Sequence, residues 1–363
     1  MFEATATFDR PWESTDEQGQ KPWERKLRAA ASKRVQPKRG EEIFAGTDYP
    51  PDWESFVGQE MAVTQLKAAV RSAAIRNTNL NHILLASGLH GIGKTTLAKL
   101  IAFHAGVGLV EVSGKISVDE IRPVLKTMED GDILFIDEIH QLVQGGKGGA
   151  EWLLHLLQDG VLMTARGAEQ MPKVTVVAAT TDEQKLPQTI LSRFFCKPIL
   201  EEYNETEAAL IARGMCVRMG FDGVLLPTPN RGTLHALARA SNNSPREMKG
   251  LISVVLDAAL GGLCRYTADG AYDLAVPLKM VGLTFDGLNR LAQEYLLALY
   301  GFEGRAGSDS LMKALKQTVV PKHTEELLTA RNYVVVRSRG RELTDLGYER
   351  TIALLEEQGL MEG

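Results

Sequence analysis

The sequence predicts an α/β fold: a parallel sheet with helices on both faces, then a small helical domain, then three helices and a basic β-turn. Three observations lead there. Four apolar runs, 83–86, 109–112, 133–136 and 174–178, are each four or five residues long and largely free of charge. Strands buried on both faces of a parallel sheet have this composition. Segments of helical character, such as 95–105 and 151–158, separate these runs as crossover helices would. After Tyr203 the strand signals stop, and 205–219, 231–240 and 245–261 read as helices.

The elements follow in order. Residues 1–48 are polar, contain Pro11, Pro22 and Pro37, and lack a sustained apolar period. They read as a mostly disordered tail with a short helix around 23–31, and ordered structure is expected from about Pro50. A helix over 61–76 would carry Ala62, Leu66, Ala69 and Ala73 on one face. The α/β domain then spans 49–204 and a helical domain spans 205–282. The last domain, 283–363, is helix-rich to Tyr333, where Tyr-Val-Val-Val begins a strand ending in Arg337-Ser-Arg339-Gly-Arg341, and helix resumes over 343–357.

Composition narrows the class. The chain of 363 residues is 44% hydrophobic and 24% charged, ordinary for a globular protein of two or three domains. No apolar run approaches the roughly 18 residues of a membrane span, and the first ten residues, with Glu3 and Asp9, lack the apolar core of a secretion signal. Cys196, Cys216 and Cys264 are odd in number and far apart. They suggest neither a disulfide framework nor a metal site and suit a cytoplasmic protein. The net charge of −5 conceals two basic regions. Between Lys21 and Arg39 stand eight basic residues against Glu24 alone, and Arg331, Arg337, Arg339 and Arg341 cluster without an acid near the other end.

The chemistry lies in three strand ends. Gly88-Leu-His-Gly91-Ile-Gly93-Lys94-Thr95 has the spacing of a phosphate-binding loop and sits between a predicted strand and a predicted helix. Gly88, Gly91 and Gly93 let backbone N–H groups close on phosphates, and the helix N-terminus adds its positive end. Lys94 is placed to meet the β- and γ-phosphates of ATP, and Thr95, followed by Thr96, to offer a hydroxyl to Mg²⁺. The run 132–138 is a strand ending in Asp137 and Glu138. Asp137 suits the Mg²⁺ shell, and Glu138 suits deprotonation of an attacking water. Two acids after a strand would also fit a solvated turn; the distance from the phosphate loop favours the catalytic role. A third strand ends in Thr180 and Thr181, where a hydroxyl can orient that water or merely cap the turn.

With these motifs on the page, Trp53-Glu-Ser-Phe-Val-Gly-Gln59, Leu134-Phe-Ile-Asp-Glu-Ile-His140, Ala179-Thr-Thr, Ser192-Arg193-Phe194 and Ser244-Pro245-Arg246 carry a resemblance. In order and spacing the chain resembles the RuvB family of AAA+ Holliday-junction branch-migration ATPases from about residue 49 to 357. The resemblance implies an AAA+ phosphate-loop domain, a helical lid and a C-terminal winged helix. It implies that Arg193 is an arginine finger acting on ATP held by a neighbouring subunit of a homo-oligomeric ring, a hexamer. It further implies that Arg246 is the second sensor, that Tyr203 contacts the adenosine, and that Asp159 lies near a cross-interface ATP contact. The wing, with Arg337, Arg339 and Arg341, would bind DNA phosphates with little sequence preference.

Four departures mark a divergent member, as one carried by a phage or mobile element would be. Tyr49, Leu191 and Val336 stand where the family has arginines, and the hairpin over 161–172 is shorter than the one that docks the junction-binding partner RuvA. The short hairpin argues against that partner. Two rival functions fit parts of the sequence: a clamp or helicase loader, and a non-hydrolysing scaffold that uses ATP only as an assembly switch. The winged helix disfavours the first, and the presence of Glu138, Thr181 and Arg193 disfavours the second.

Overall fold

The computed structural model describes residues 36–45, 52–88, 90–144, 149–164, 167–319, 321–338 and 340–359. The chain divides into two compact units, Met1–Glu201 and Glu202–Gly363. Among the described residues no helix is long and apolar enough to cross a membrane.

The first unit is built on a four-stranded parallel sheet in the order β1-β6-β3-β2. Helix α1 (Glu60–Arg76) precedes β1 (Ile83–Ala86), α2 (Lys94–Ala105), β2 (Leu109–Ser113) and α3 (Val118–Leu125). Strand β3 (Ile133–Asp137) is followed by the short α4 (His140–Gln144), α5 (Gly149–Asp159), the hairpin β4 (Val161–Thr164) and β5 (Gly167–Gln170), β6 (Thr175–Thr180) and α6 (Gln188–Leu191). Residues of β1, β3 and β6 such as Leu84, Ile136 and Val176 are fully buried together with Trp152 and Leu153 of α5. Each such side chain contributes roughly 1.5–3 kcal/mol by leaving water. The parallel register, Ile83 to Val177 and Ile133 to Thr175, brings the C-terminal ends of β1, β6 and β3 side by side. Open α/β sheets bind ligands at that edge.

The strands fall where the sequence places them, β3 reaching Asp137 and β6 reaching Thr180, as the strand-end motifs require. On α1, Val70 rather than Ala69 shares the buried face with Ala62, Leu66 and Ala73. Helix α3 went unread because it is short and contains Pro123; its start is fixed by a capping box between Ser117 and Glu120.

The larger correction concerns the N-terminus. Order begins before Pro50. Lys38 forms an antiparallel bridge with Leu109 at the β2 edge, with both N–H···O distances 2.9 Å. Arg39 donates to Asp132 at 2.9 Å, and a 3-10 turn over Gly40–Phe44 buries Ile43 and Phe44. The Phe44 ring meets Phe103 of α2 edge-on, with centroids 5.9 Å apart. Two apolar residues in a polar stretch set no period, which is why composition alone read this strap as tail. The rest of the expected tail, and Tyr49, lie outside the described residues.

The second unit begins with the lid helices α7 (Glu205–Met219), α8 (Arg231–Ala240) and α9 (Pro245–Leu260), and a short α10 (Ala275–Met280). Asn204 and Glu207 form a capping box on α7, and Ser244 with Pro245 starts α9. Then come α11 (Arg290–Gly301), β7 (Arg305–Ala306), α12 (Ser308–Ala314), α13 (Lys322–Ala330), β8 (Val334–Arg337), β9 (Gly340–Leu343) and α14 (Asp345–Glu357). Strands β7, β9 and β8 form a three-stranded antiparallel sheet against α11 to α13, the winged-helix arrangement expected. Leu343 belongs to β9, not to the last helix, which starts after the cap Thr344. Gly340, which pairs with Arg337 at the β8–β9 turn, is buried at φ 147°, and a Cβ there would stand 2.5 Å from the Ala306 carbonyl oxygen.

Candidate functional site

Four elements converge at the C-terminal edge of the sheet. The loop after β1 uses left-handed backbone at Gly91 (φ 76°) and Gly93 (φ 93°) before α2 starts at Lys94. Gly88 has no such need. Lys94 is buried to 8% exposure, and its Nζ donates to the carbonyls of Ser87 at 3.2 Å and Thr180 at 3.3 Å. Burial lowers its pKa, with the carboxylates of Glu138 and Asp137 pulling the other way. Thr95 and Thr96 follow in the first turn of α2, both half-buried.

Asp137 ends β3, and its carboxyl pKa is raised, first by burial and then by the charge of Glu138. Glu138 takes φ 52°, a left-handed conformation that costs a non-glycine residue about 1 kcal/mol or more. The turn is held from three sides: Ile139 N–H donates to the Ala179 carbonyl at 2.9 Å, Gln141 N–H to the Glu138 carbonyl at 2.9 Å, and Gly114 N–H to the Asp137 carbonyl at 2.7 Å. Gly114 has to be glycine, because a Cβ would fall 2.1 Å from the Glu138 carbonyl oxygen. So fixed, the Glu138 carboxylate accepts from the backbone N–H of Thr181 at 3.2 Å and its hydroxyl at 3.0 Å.

The structure therefore brings Lys94, Asp137, Glu138 and Thr181 together, as the strand-end motifs require. It adds His140, whose Nδ1 lies 3.1 Å from Glu138 Oε2 and 3.0 Å from Thr180 Oγ1, and His90, whose Nδ1 lies 3.9 Å from Glu138 Oε1. A lone histidine after a strand or in a loop gives no sequence signal of such contacts. Hard oxygen donors suit Mg²⁺, which keeps most of its shell as water and phosphate. Asp137 and Thr95 fit that chemistry, and no group of three or more metal-binding side chains occurs among the described residues.

Arg193 and Asp159 lie on another part of this unit. Arg193 Nη2 donates to Gln158 Oε1 at 2.8 Å, so the arginine stands beside the C-terminal end of α5, where Asp159 is exposed. Arg193 makes no ion pair among the described residues, and its Nε is buried without a partner. Leu191 packs against the core beside it. Tyr203 and Arg246 belong to the second unit, Tyr203 buried and Arg246 exposed in the first turn of α9.

The wing arginines divide. Arg337 is exposed and shares Glu342 with Arg305, at 2.6 Å and 3.1 Å. Arg339 lies outside the described residues. Arg341, expected at the DNA, turns its guanidinium inward and binds Glu325 twice, at 2.7 Å and 3.1 Å. Alternation along β9 puts it on the core side, a facing that a cluster of arginines does not reveal. Arg305 was missed because it stands some thirty residues upstream in a separate strand.

Comparison with known proteins gives a consistent picture. The profile of the Holliday junction DNA helicase RuvB P-loop domain matches residues 49–200. A Holliday junction branch migration complex subunit RuvB from Rubrobacter xylanophilus is 31% identical over 332 residues, covering 86% of this chain and 89% of that protein. Its counterpart from Kosmotoga olearia is 29% identical over 330 residues, covering 85% and 91%. The solved Thermotoga maritima RuvB Holliday junction branch migration motor superposes with a TM-score of 0.66 at 25% identity, over 84% of this chain and 97% of that one.

Proposed function

This chain belongs to the RuvB family of AAA+ ATPases, and on that premise we propose that it is an ATP-driven motor that moves duplex DNA in Holliday-junction branch migration. The observation that carries the catalytic part is the strand-end cradle, in which Glu138 is held by Thr181 within reach of the Lys94 loop. Backbone N–H groups at the start of α2 and the Lys94 ammonium receive the β- and γ-phosphates. Glu138 takes a proton from water as its oxygen bonds the γ-phosphorus; the bond from phosphorus to the β–γ bridging oxygen breaks, and ADP leaves with that electron pair. Thr181 orients the carboxylate. Asp137 and Thr95 hold Mg²⁺, which when bound neutralises charge on the phosphate oxygens.

Arg193 acts in trans, reaching the γ-phosphate on the next subunit of a hexameric ring. Its lack of an ion-pair partner among the described residues supports that role. Asp159 neighbours it, and the family resemblance assigns Tyr203 to the adenosine and Arg246 to the second sensor. The domains divide the work: a basic tail ahead of the strap, an ATPase domain to residue 204, a lid over 205–282 and a DNA-binding winged helix over 283–363. On the wing, Arg337 and Arg339, with Arg305, supply phosphate contacts.

The short β4–β5 hairpin disfavours docking of a RuvA-type partner there. Each strand has four residues, Leu162 faces the core, and Glu169 is tied to Arg122 and Lys126 on and just after α3. Met163 is the large exposed apolar side chain among the described residues of the hairpin.

ATP turnover and migration of a synthetic four-way junction test the proposal. Lys94→Ala should weaken nucleotide binding, whereas Glu138→Gln should bind ATP normally and neither hydrolyse it nor migrate the junction. Hydrolysis by Glu138→Gln at the parental rate would remove the catalytic assignment.

A further inference from the structure

The two oxygens of Glu138 are held unequally. Oε2 accepts from the Thr181 N–H at 3.2 Å and the Thr181 hydroxyl at 3.0 Å, and it lies 3.1 Å from His140 Nδ1. Oε1 lies 3.9 Å from His90 Nδ1, beyond hydrogen-bond reach. His140 itself is enclosed, with its side chain 11% exposed, and the same Nδ1 lies 3.0 Å from Oγ1 of the fully buried Thr180. The arrangement selects a tautomer. A bare Nδ1 would set its lone pair against a carboxylate oxygen at 3.1 Å, acceptor facing acceptor. With a proton on Nδ1, the N–H donates to Thr180 Oγ1, which also accepts from the Asp182 N–H at 3.0 Å, and its positive end stands beside Oε2 of Glu138.

We infer that His140 is a positioning residue for hydrolysis: its Nδ1–H, anchored on Thr180 and 3.1 Å from Oε2 of Glu138, holds that oxygen at the end of β6 by charge–dipole attraction and leaves Oε1 as the oxygen that accepts the proton from water. The inference rests on the reading of Glu138 as the base. The backbone of Glu138 is already fixed by its φ of 52° and by the Ile139-to-Ala179 hydrogen bond. The remaining freedom is the side-chain rotamer, and a dipole fixed in a buried, rigid ring restricts it. Oε2, with two donors from Thr181 and the imidazole beside it, has its lone pairs engaged, whereas Oε1 keeps its own for the reaction. Thr180 makes the tie directional, because it anchors the imidazole from the strand that also carries Thr181.

Three full-length variants test this against a merely space-filling role. The amide nitrogen of asparagine overlays Nδ1 of histidine, while that of glutamine falls near Nε2. His140→Ala and His140→Gln should lower the ATPase kcat about tenfold, with KM for ATP changed less than about twofold. His140→Asn should return kcat to within about threefold of the parent, as expected if the nitrogen position is what matters. Glu138→Gln, measured alongside, should be inactive. If His140→Gln keeps the parental kcat while Glu138→Gln is dead, the His140 role is overturned and the base assignment stands. Equal losses in Asn and Gln variants of unchanged melting temperature would also overturn it. Parental turnover by Glu138→Gln would remove the base assignment and this inference together. Should the alanine variant fail to fold, the Asn and Gln pair, similar in size and polarity, decides the matter.

Discussion

Replacing Arg341 by alanine should loosen the wing far more than replacing Arg337, although both are arginines of one hairpin. Arg341 and Glu325 have side chains 13% and 11% exposed and are joined by two hydrogen bonds, and Glu325 also accepts from the Tyr295 hydroxyl at 2.6 Å. Burial alone would raise the Glu325 carboxyl pKa; the Arg341 guanidinium and the Tyr295 hydroxyl hold it below its usual range. Removing the guanidinium strands this carboxylate, and breaking a buried pair in this way costs about 3–5 kcal/mol. The Tyr295 bond remains, which places the expected loss near 3 kcal/mol, the lower end of that range. Arg337, 61% exposed, should contribute at most about 1 kcal/mol through Glu342. Hydrogen exchange read by mass spectrometry isolates the effect, because it reports opening of β9 and α13 separately from the ATPase domain. Amides of these two elements should exchange roughly 100-fold faster in Arg341→Ala and about as in the parent for Arg337→Ala. The triple variant Arg341→Met, Glu325→Leu, Tyr295→Phe, which removes the whole buried polar group, should recover most of the protection. Exchange unchanged in Arg341→Ala, together with lost DNA binding, would mean that the guanidinium reaches DNA and that its inward pairing contributes no stability.

Three further outcomes are expected. Mixed rings of Arg193→Ala and Lys94→Ala subunits should hydrolyse ATP faster than either parent ring, since some interfaces regain both groups; verified co-assembly without such recovery would refute a shared site. In the strap, Ile43 is fully buried, so Ile43→Ala should cost about 2–5 kcal/mol in denaturant unfolding, whereas deleting residues 1–35 should leave the midpoint unchanged. At the base of the wing, burial would raise the Asp286 carboxyl, but the bidentate Arg350 guanidinium, with Thr284 and Tyr333, holds it at about 2. Its folded pKa lies below the unfolded value, so this stabilisation of about 2 kcal/mol is complete above pH ~4 and disappears as pH falls from there to ~2. Asp286→Asn should therefore flatten the acid limb of an unfolding profile, and an unchanged limb would refute the assignment.

Much of the site was legible because its chemistry is local. A phosphate loop needs glycines, a lysine and a hydroxyl within eight consecutive residues, and Asp137 and Glu138 are adjacent at the end of a strand whose lack of charge announces its burial. The same holds for the lid helices, whose caps at Asn204, Asn230 and Ser244 are written next to the turns they close. Tertiary structure alone decided what depends on partners distant in sequence. His140 meets Thr180 forty residues on, Arg39 finds Asp132 ninety-three residues on, and Arg341 turns inward because Glu325 and Tyr295 lie beneath its strand. An isolated histidine, a basic residue in a polar stretch and an arginine in a cluster look alike from sequence whether solvated or bound. Which of them leaves water is fixed by strand order and facing, and parallel pairing through crossovers brings those neighbours together only once the chain has folded.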